Sequence, residues 1–271
     1  GSNAYMFSGE LATLLSGRYV VIDMLPLSFK EYVSANGNSI KSEREHFADY
    51  LRFGSFPYLA EISKDEPIIE SYIDGIYNTI LVKDVAKREG ITDVSLLESI
   101  VKVVASSVGS PISTNKICDT INSSGRRTSV NSIDSYLKAL RDAYIFYKVD
   151  RFDIKGRQYL KTLGKYYLVD TGIRNSLLSS GATDIGHLIE NIVYFELIRR
   201  GYKVNIGKLL EKEIDFISKN SQGIEYYQVS ASVLDEVTLK RELSPLENIS
   251  DPFPKILFTL DEVTTGANLN G

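Results

Sequence analysis

The chain has 271 residues, is 43% hydrophobic and carries 31 Lys and Arg against 35 Asp and Glu, a formal net charge of −4. That length and apolar content are enough for two or three domains with real cores, and the acidic balance excludes a global basic field that would draw the chain to nucleic acid. A single Cys118 excludes an internal disulfide, and with only two His a Cys/His zinc site is not expected. No apolar run reaches membrane-spanning length, and a cytoplasmic chain with no signal peptide and no membrane partner is expected.

In chain order, Leu11–Leu15 reads as a helix and Gly17-Arg18 as a turn. Tyr19–Ile22 is apolar on successive residues, as in a strand buried on both faces. It is expected to pair with another copy or to pack on the helix Glu66–Glu89. Ser28 is the predicted N-cap of a helix Phe29–Val33. Ala35–Ser42 is a polar loop, Glu43–Leu51 a helix and Phe53-Gly54-Ser55-Phe56-Pro57 a turn. Along Glu66–Glu89, Ile69, Tyr72, Ile73, Ile76 and Ile80 share one helical face.

Residues 91–183 read as a winged helix. Its helices are Leu96–Ser106, Thr114–Ile121 and Val130–Ala143, the last two capped by Ser113 and Ser129. The β-runs Ile145–Asp150, Gln158–Thr162 and Lys165–Val169 follow, with Asp153–Arg157 as the wing. From Ile112 to Lys165 the sequence holds eleven bases and five acids. A local phosphate-binding patch is therefore expected at Arg126, Arg127, Lys138, Arg141, Lys155 and Arg157, with double-stranded DNA as the partner. A protein partner or self-association is the other reading of the same module. Asp170-Thr171-Gly172 is a strand-to-helix turn; without a second Asp-Thr-Gly it cannot form a carboxylate dyad.

From residue 184 the pattern is helix, strand, strand, strand. Leu188, Ile192, Phe195 and Ile198 form the buried stripe of the helix, and Gly201 stops it. The strands are Tyr202–Ile206, Glu213–Ser218 and Ile224–Ser230, followed by a helix Val237–Leu243 and a strand Pro254–Leu260. Thr264–Gly271 is expected to be disordered. Glu190, Asp215 and Gln228 stand out, and their order resembles the core of the PD-(D/E)xK nuclease superfamily. The resemblance implies a restriction-endonuclease-like α/β domain in which carboxylates hold Mg²⁺ and a Lys assists the attacking water. Here Gln228-Val229-Ser230 stands where Glu-x-Lys would be, so the site reads as degenerate, with Glu190 and Asp215 as weak metal ligands. Lys240, or less well Lys203, is the candidate for a migrated lysine.

Residues 1–33, with the Leu25-Pro26-Leu27-Ser28-Phe29 run, the Phe53–Pro57 turn, Lys83-Asp84 and the Asp170-Thr171-Gly172 turn, are similar to prokaryotic AAA-type ATPases carrying a C-terminal DUF 4143 domain. That resemblance divides the chain into an ATPase remnant (1–60), a helical connector (61–90), the winged helix (91–183) and the nuclease-like domain (184–271). It implies a nucleotide-sensing remnant at Asn3 and Arg18. ATP and Mg²⁺ are implied for an intact member. No GxxxxGK[ST] loop occurs in this chain, so no cofactor and no tight ATP binding are expected of it. The expected function is a DNA- or protein-binding module. A residual Mg²⁺-dependent DNA nuclease and a structural, oligomerising role are the alternatives.

Overall fold

The structure, a computed structural model, describes residue 18 and residues 22–37, 39–63, 65–178, 185–262, 266 and 268; the side chains of 81–84, 161 and 162 lie outside that description. The expected helix Leu11–Leu15, Asn3, the Lys83-Asp84 side chains and the link Ser179–Thr183 fall outside it. Of the run Tyr19–Ile22 only Ile22 is described, and it is exposed. Most of Thr264–Gly271 is outside as well.

Among the described residues the chain is a mixed α/β protein with one six-stranded mixed sheet. It divides into two compact units. One comprises Gly1–Val108, Ile112–Lys148 and Tyr166–Ala182; the other comprises Gly109–Pro111, Val149–Lys165 and Thr183–Gly271.

In the first unit, α1 (Phe29–Ala35) and α2 (Glu43–Phe53) each begin on a complete capping box. Ser28 and Ser42 accept the backbone N–H of Glu31 and Glu45, whose carboxylates accept the serine N–H in return. Phe29, Tyr32, Phe47 and Tyr50 then pack edge-on or stacked between the two helices. The predicted long helix is α3 (Glu66–Asn78), which widens into a π-helical stretch over Thr79–Ala86. Next come α4 (Val94–Ser106), α5 (Thr114–Ser123) and α6 (Val130–Asp142), capped by Asp93, Ser113 and Ser129. Leu97, Ile100, Val104, Ile117, Ile133 and Leu140 form their shared core.

Asp170 ties this unit together. Its Oδ2 accepts from the Ser55 backbone N–H at 2.6 Å and the Ser55 hydroxyl at 3.1 Å. Its Oδ1 accepts from the N–H groups of Gly172 at 2.8 Å and Ile173 at 3.3 Å, at the start of α7 (Thr171–Leu178). A buried carboxylate thus caps one helix and holds a turn more than a hundred residues away. The glycines on both sides are there for space. A Cβ at Gly172 would lie 2.2 Å from the Phe53 carbonyl oxygen, and one at Gly54 only 2.0 Å from Asp170 Oδ1.

The sheet runs β2-β1-β3-β4-β5-β6. Its strands are β1 (Phe146–Asp153), β2 (Gln158–Leu168), β3 (Lys203–Leu209), β4 (Lys212–Lys219), β5 (Ile224–Val229) and β6 (Lys255–Phe258). The first three residues of β1 and the last three of β2 fall in the first unit. The two runs predicted at Gln158–Thr162 and Lys165–Val169 are one strand, β2; Leu163, with φ 60°, marks the place between them. β3 is parallel to β1, antiparallel to β4, and β4 is antiparallel to β5, which is parallel to β6. α8 (Ile185–Arg199) precedes β3, and Gly201 at φ 80° turns the chain between them. α9 (Glu236–Glu247) continues through Pro245, beyond the predicted end at Leu243. The cost is one helical N–H, the one that would have met the Arg241 carbonyl. Ile214, Ile217, Tyr226, Leu246 and Ile249 form a core cluster of this second unit. No described helix is long and apolar enough to cross a membrane.

Replacing Asp170 with Ala strands up to three N–H donors and one hydroxyl in a buried turn. We expect Asp170→Ala to lose roughly 3 kcal/mol or more in urea unfolding. A loss within the range of an ordinary surface substitution, about 0.5 kcal/mol, would show that the turn holds without it.

Candidate functional site

Three carboxylates and one ammonium meet inside the second unit. α8 buries Glu190 among Ile189, Asn191 and Leu188. On β4 the two-residue period puts Glu213 and Asp215 on one face. Lys165, in β2, brings the ammonium. Its Nζ lies 2.8 Å from Glu190 Oε1, 2.8 Å from Glu213 Oε1 and 3.7 Å from Asp215 Oδ1. The Lys165 side chain is 3% exposed and that of Glu190 6%.

The second layer is also closed. Asp215 Oδ2 accepts the Val229 N–H at 2.8 Å, which binds β4 to β5 through a side chain. Gln228 turns its oxygen to the Asp215 N–H at 3.4 Å and donates its amide to Glu242 Oε2 at 2.9 Å. Glu242 Oε1 in turn receives Arg241, at 2.7 Å from Nη2. Gly109, at φ 76°, lies against Glu190: a Cβ there would come within 3.1 Å of Glu190 Oε2 and 2.9 Å of His187 Cδ2. A cleft of about 610 Å³ opens over this network, with Ser110, Ser230, Ser232 and Thr238 among its walls.

The charges perturb one another. Burial pulls the Lys165 ammonium down, but Glu190, Asp215 and Glu213 more than reverse this, so it ends above the ordinary lysine value. Asp215 is pushed up to about 7, first by burial and then by Glu190, with Glu213 adding to it; Lys165 and the Val229 N–H work against the rise.

This donor set does not fit Mg²⁺. The ion needs near-octahedral oxygen ligands at about 2.0–2.1 Å. Glu190 and Glu213 each have an oxygen committed to the Lys165 ammonium, Asp215 has Oδ2 committed to Val229, and both ends of the Gln228 amide are used. Among the described residues no group of three or more His, Cys, Asp or Glu is arranged to hold a metal ion.

The expected set Glu190, Asp215, Gln228 and Ser230 is therefore brought to one cleft, but Lys240 is not. Lys240 is exposed on α9 and pairs with Glu236 at 2.6 Å. Lys203 is exposed at the start of β3. The lysine at the carboxylates is Lys165, which by composition alone falls among the phosphate-binding bases. Glu213 and Glu242 were also missed. Two signals were available: the i, i+2 spacing of Glu213 and Asp215 on a strand, and a lysine directly preceding the apolar run Tyr166–Leu168. Of the basic residues, Arg126 is engaged by Ser95 and by Asp93 at 3.6 Å, and Lys138 by Asp142 at 2.6 Å. Arg141 interacts with Tyr166. Arg127, Lys155 and Arg157 are exposed, and Arg18 is exposed as well.

Removing the ammonium leaves buried carboxylates facing one another. We expect Lys165→Met to destabilise the chain by roughly 3–5 kcal/mol in urea unfolding, where a surface pair would change it by about 1 kcal/mol or less. Asp215 adds a pH dependence. Unfolded, it loses its proton near pH 4; folded, it keeps it to about 7. Its contribution to stability therefore falls as pH rises through that window and is level above it. Thermal unfolding of Asp215→Asn against wild type should shift in favour of the variant between pH 4.5 and 7.5, a range set by those two values. A constant difference would contradict the raised value.

A family model described as Domain of unknown function (DUF8612) matches residues 44–184. An uncharacterised protein of Haemophilus influenzae is 41% identical over 261 residues, covering 96% of this chain and 64% of that protein. An uncharacterised protein of Methanocaldococcus jannaschii is 27% identical over 263 residues, covering 91% of this chain and 57% of that protein. The chain thus spans less than two thirds of the length of either relative. No solved structure matches it. The expected membership among AAA-type ATPases with a DUF 4143 domain is overturned: the matching family is a different one, and neither relative bears such a name. The shared motifs have local reasons. Ser28 in the Leu-Pro-Leu-Ser-Phe run makes a capping box, and Asp170-Thr171-Gly172 and the Gly54-Ser55 turn are two halves of one hydrogen-bonded corner. Solutions of this kind recur wherever a helix must start or a turn must be held, so they do not by themselves identify an ATPase. With more than half of its length matched by the family model, the chain belongs to the family described as Domain of unknown function (DUF8612).

Proposed function

We propose that the chain is a binding module for double-stranded DNA whose second unit is a nuclease-like scaffold without phosphodiester chemistry. The observation that carries the second half is the Lys165 ammonium at 2.8 Å from both Glu190 and Glu213. A site in which the protein's own cation pairs with the carboxylates leaves no place there for a metal-bound water. The nuclease-like reading is supported by the order α8, β3, β4, β5, α9, β6, with Glu190 on the helix and Asp215 on the middle strand. Gln228-Val229-Ser230 supplies no replacement for the Glu-x-Lys pair, because Gln228 is hydrogen-bonded at both ends.

The DNA half is supported by charge and order. α4, α5 and α6 followed by β1 and β2 is the succession of a winged helix. Arg127 in one unit, and Lys155 and Arg157 in the other, are exposed bases in the one strongly basic segment of an acidic chain. Such residues bind phosphates without regard to sequence, and the affinity falls with salt.

Fluorescence anisotropy with a labelled duplex, titrated with salt in the presence of a chelator, tests this. Replacing Arg127, Lys155 and Arg157 with Ala should weaken binding equally on unrelated sequences and flatten the salt slope by about one unit for each phosphate that the protein no longer neutralises. Unchanged binding would assign the module to a protein partner or to self-association. Linear and supercoiled DNA should stay intact with Mg²⁺ or Mn²⁺. Metal-dependent cutting that disappears in Asp215→Ala would establish the nuclease reading instead.

A further inference from the structure

We infer that the Lys165 ammonium is the resident cation of the carboxylate cluster, and that Glu190, Glu213 and Asp215 take up a divalent ion only when that side chain is removed. The inference concerns metal binding alone and stands whether or not the chain holds DNA.

Three observations converge on it. The first is position. Lys165 Nζ is at hydrogen-bond distance from carboxylates on two different elements, α8 and β4, and within 3.7 Å of a third. A point that close to three carboxylates is where a divalent ion would be drawn, and two cations cannot share it. The second is burial. At 3% exposure the ammonium lies at the base of the cleft, and leaving its place means giving up both 2.8 Å ion pairs, which a solvent-screened surface lysine does not face. The third is the surrounding network. Val229 fixes Oδ2 of Asp215, and Glu242, itself held by Arg241, fixes the Gln228 amide beside it, so turning Asp215 towards a metal while Lys165 stays would break these bonds. The layout is that of a closed ion pair, in which the cation is covalently attached to β2. Divalent ions at ordinary concentrations then find only partial ligand sets at this place.

The experiment is a Mn²⁺ titration of the full chain without nucleic acid, followed by the electron paramagnetic resonance of the free ion. Wild type should show no saturable uptake that depends on Asp215. Lys165→Met, which keeps the length of the side chain and removes its charge, should gain one saturable site. Its affinity should exceed that of wild type by at least about tenfold, because a positive charge near the ion's position has gone. Adding Asp215→Asn to Lys165→Met should abolish the gain. A companion measurement covers a variant weakened by its unpaired carboxylates: thermal unfolding of Lys165→Met and Lys165→Ala with and without Mn²⁺. Stabilisation by Mn²⁺, including metal-dependent recovery of folding, supports the inference. Saturable uptake by wild type that is lost in Asp215→Asn overturns it. So does the failure of Mn²⁺ to bind or stabilise both Lys165 variants.

Discussion

Holding one ammonium and two carboxylates, Glu190 and Asp215, out of water, with the half-buried Glu213 completing the pairing, is the constraint around which the second unit is arranged. Taking charges from water costs several kcal/mol per ion, and only close pairing offsets it. Every neighbouring feature answers to that need. Glu213 and Asp215 share a strand face so that both reach Lys165. Asp215 uses its second oxygen on the Val229 N–H, and Gln228 and Glu242 extend the chain of satisfied partners to the surface at Arg241. Gly109 leaves room where a side chain would press on Glu190. The result is polar and closed at its base, although a cleft opens above it.

Asp170 solves the corresponding problem in the first unit by a different route. Among the described residues its hydrogen bonds come from N–H and hydroxyl donors. Burial raises its pKa and those donors oppose the rise. Backbone donors suit a structural carboxylate, because they fix the chain as well as the charge. The two carboxylate sites show how a buried acid can be made permanent, by hydrogen bonds alone or by a covalently tethered counter-ion.

Much of the fold was legible in the sequence because local rules wrote it. Ser28, Ser113 and Ser129 were readable as caps, and each accepts the N–H that a cap should. The three strands after α8 follow from punctuation; of the stripe expected along α8, Leu188 and Phe195 are buried, whereas Ile192 and Ile198 are half-buried and Ile189, Tyr194 and Leu197 are buried in their stead. Glu190, Asp215 and Gln228 were recognisable together because they lie within one continuous helix-strand-strand-strand unit. Lys165 was not, for a physical reason. It comes from β2, twenty-five positions before Glu190, in a segment whose basic composition pointed to phosphates. Charge counts treat buried and exposed lysines alike, and only tertiary packing separates Lys165 from Lys155. The resemblance to AAA-type ATPases fails for a related reason: capping boxes and glycine turns are short, general solutions to backbone problems and carry little information about descent.

The central claim is that Lys165 is charged, buried and held by carboxylates. The most direct measurement is nitrogen-15 NMR of the lysine ammonium groups across an alkaline titration. The account predicts one Lys165 ammonium signal, assigned by its loss in Lys165→Met, that exchanges slowly with water and stays protonated at a pH where exposed lysines have lost their protons. A Lys165 signal that exchanges and titrates with the surface lysines would contradict it.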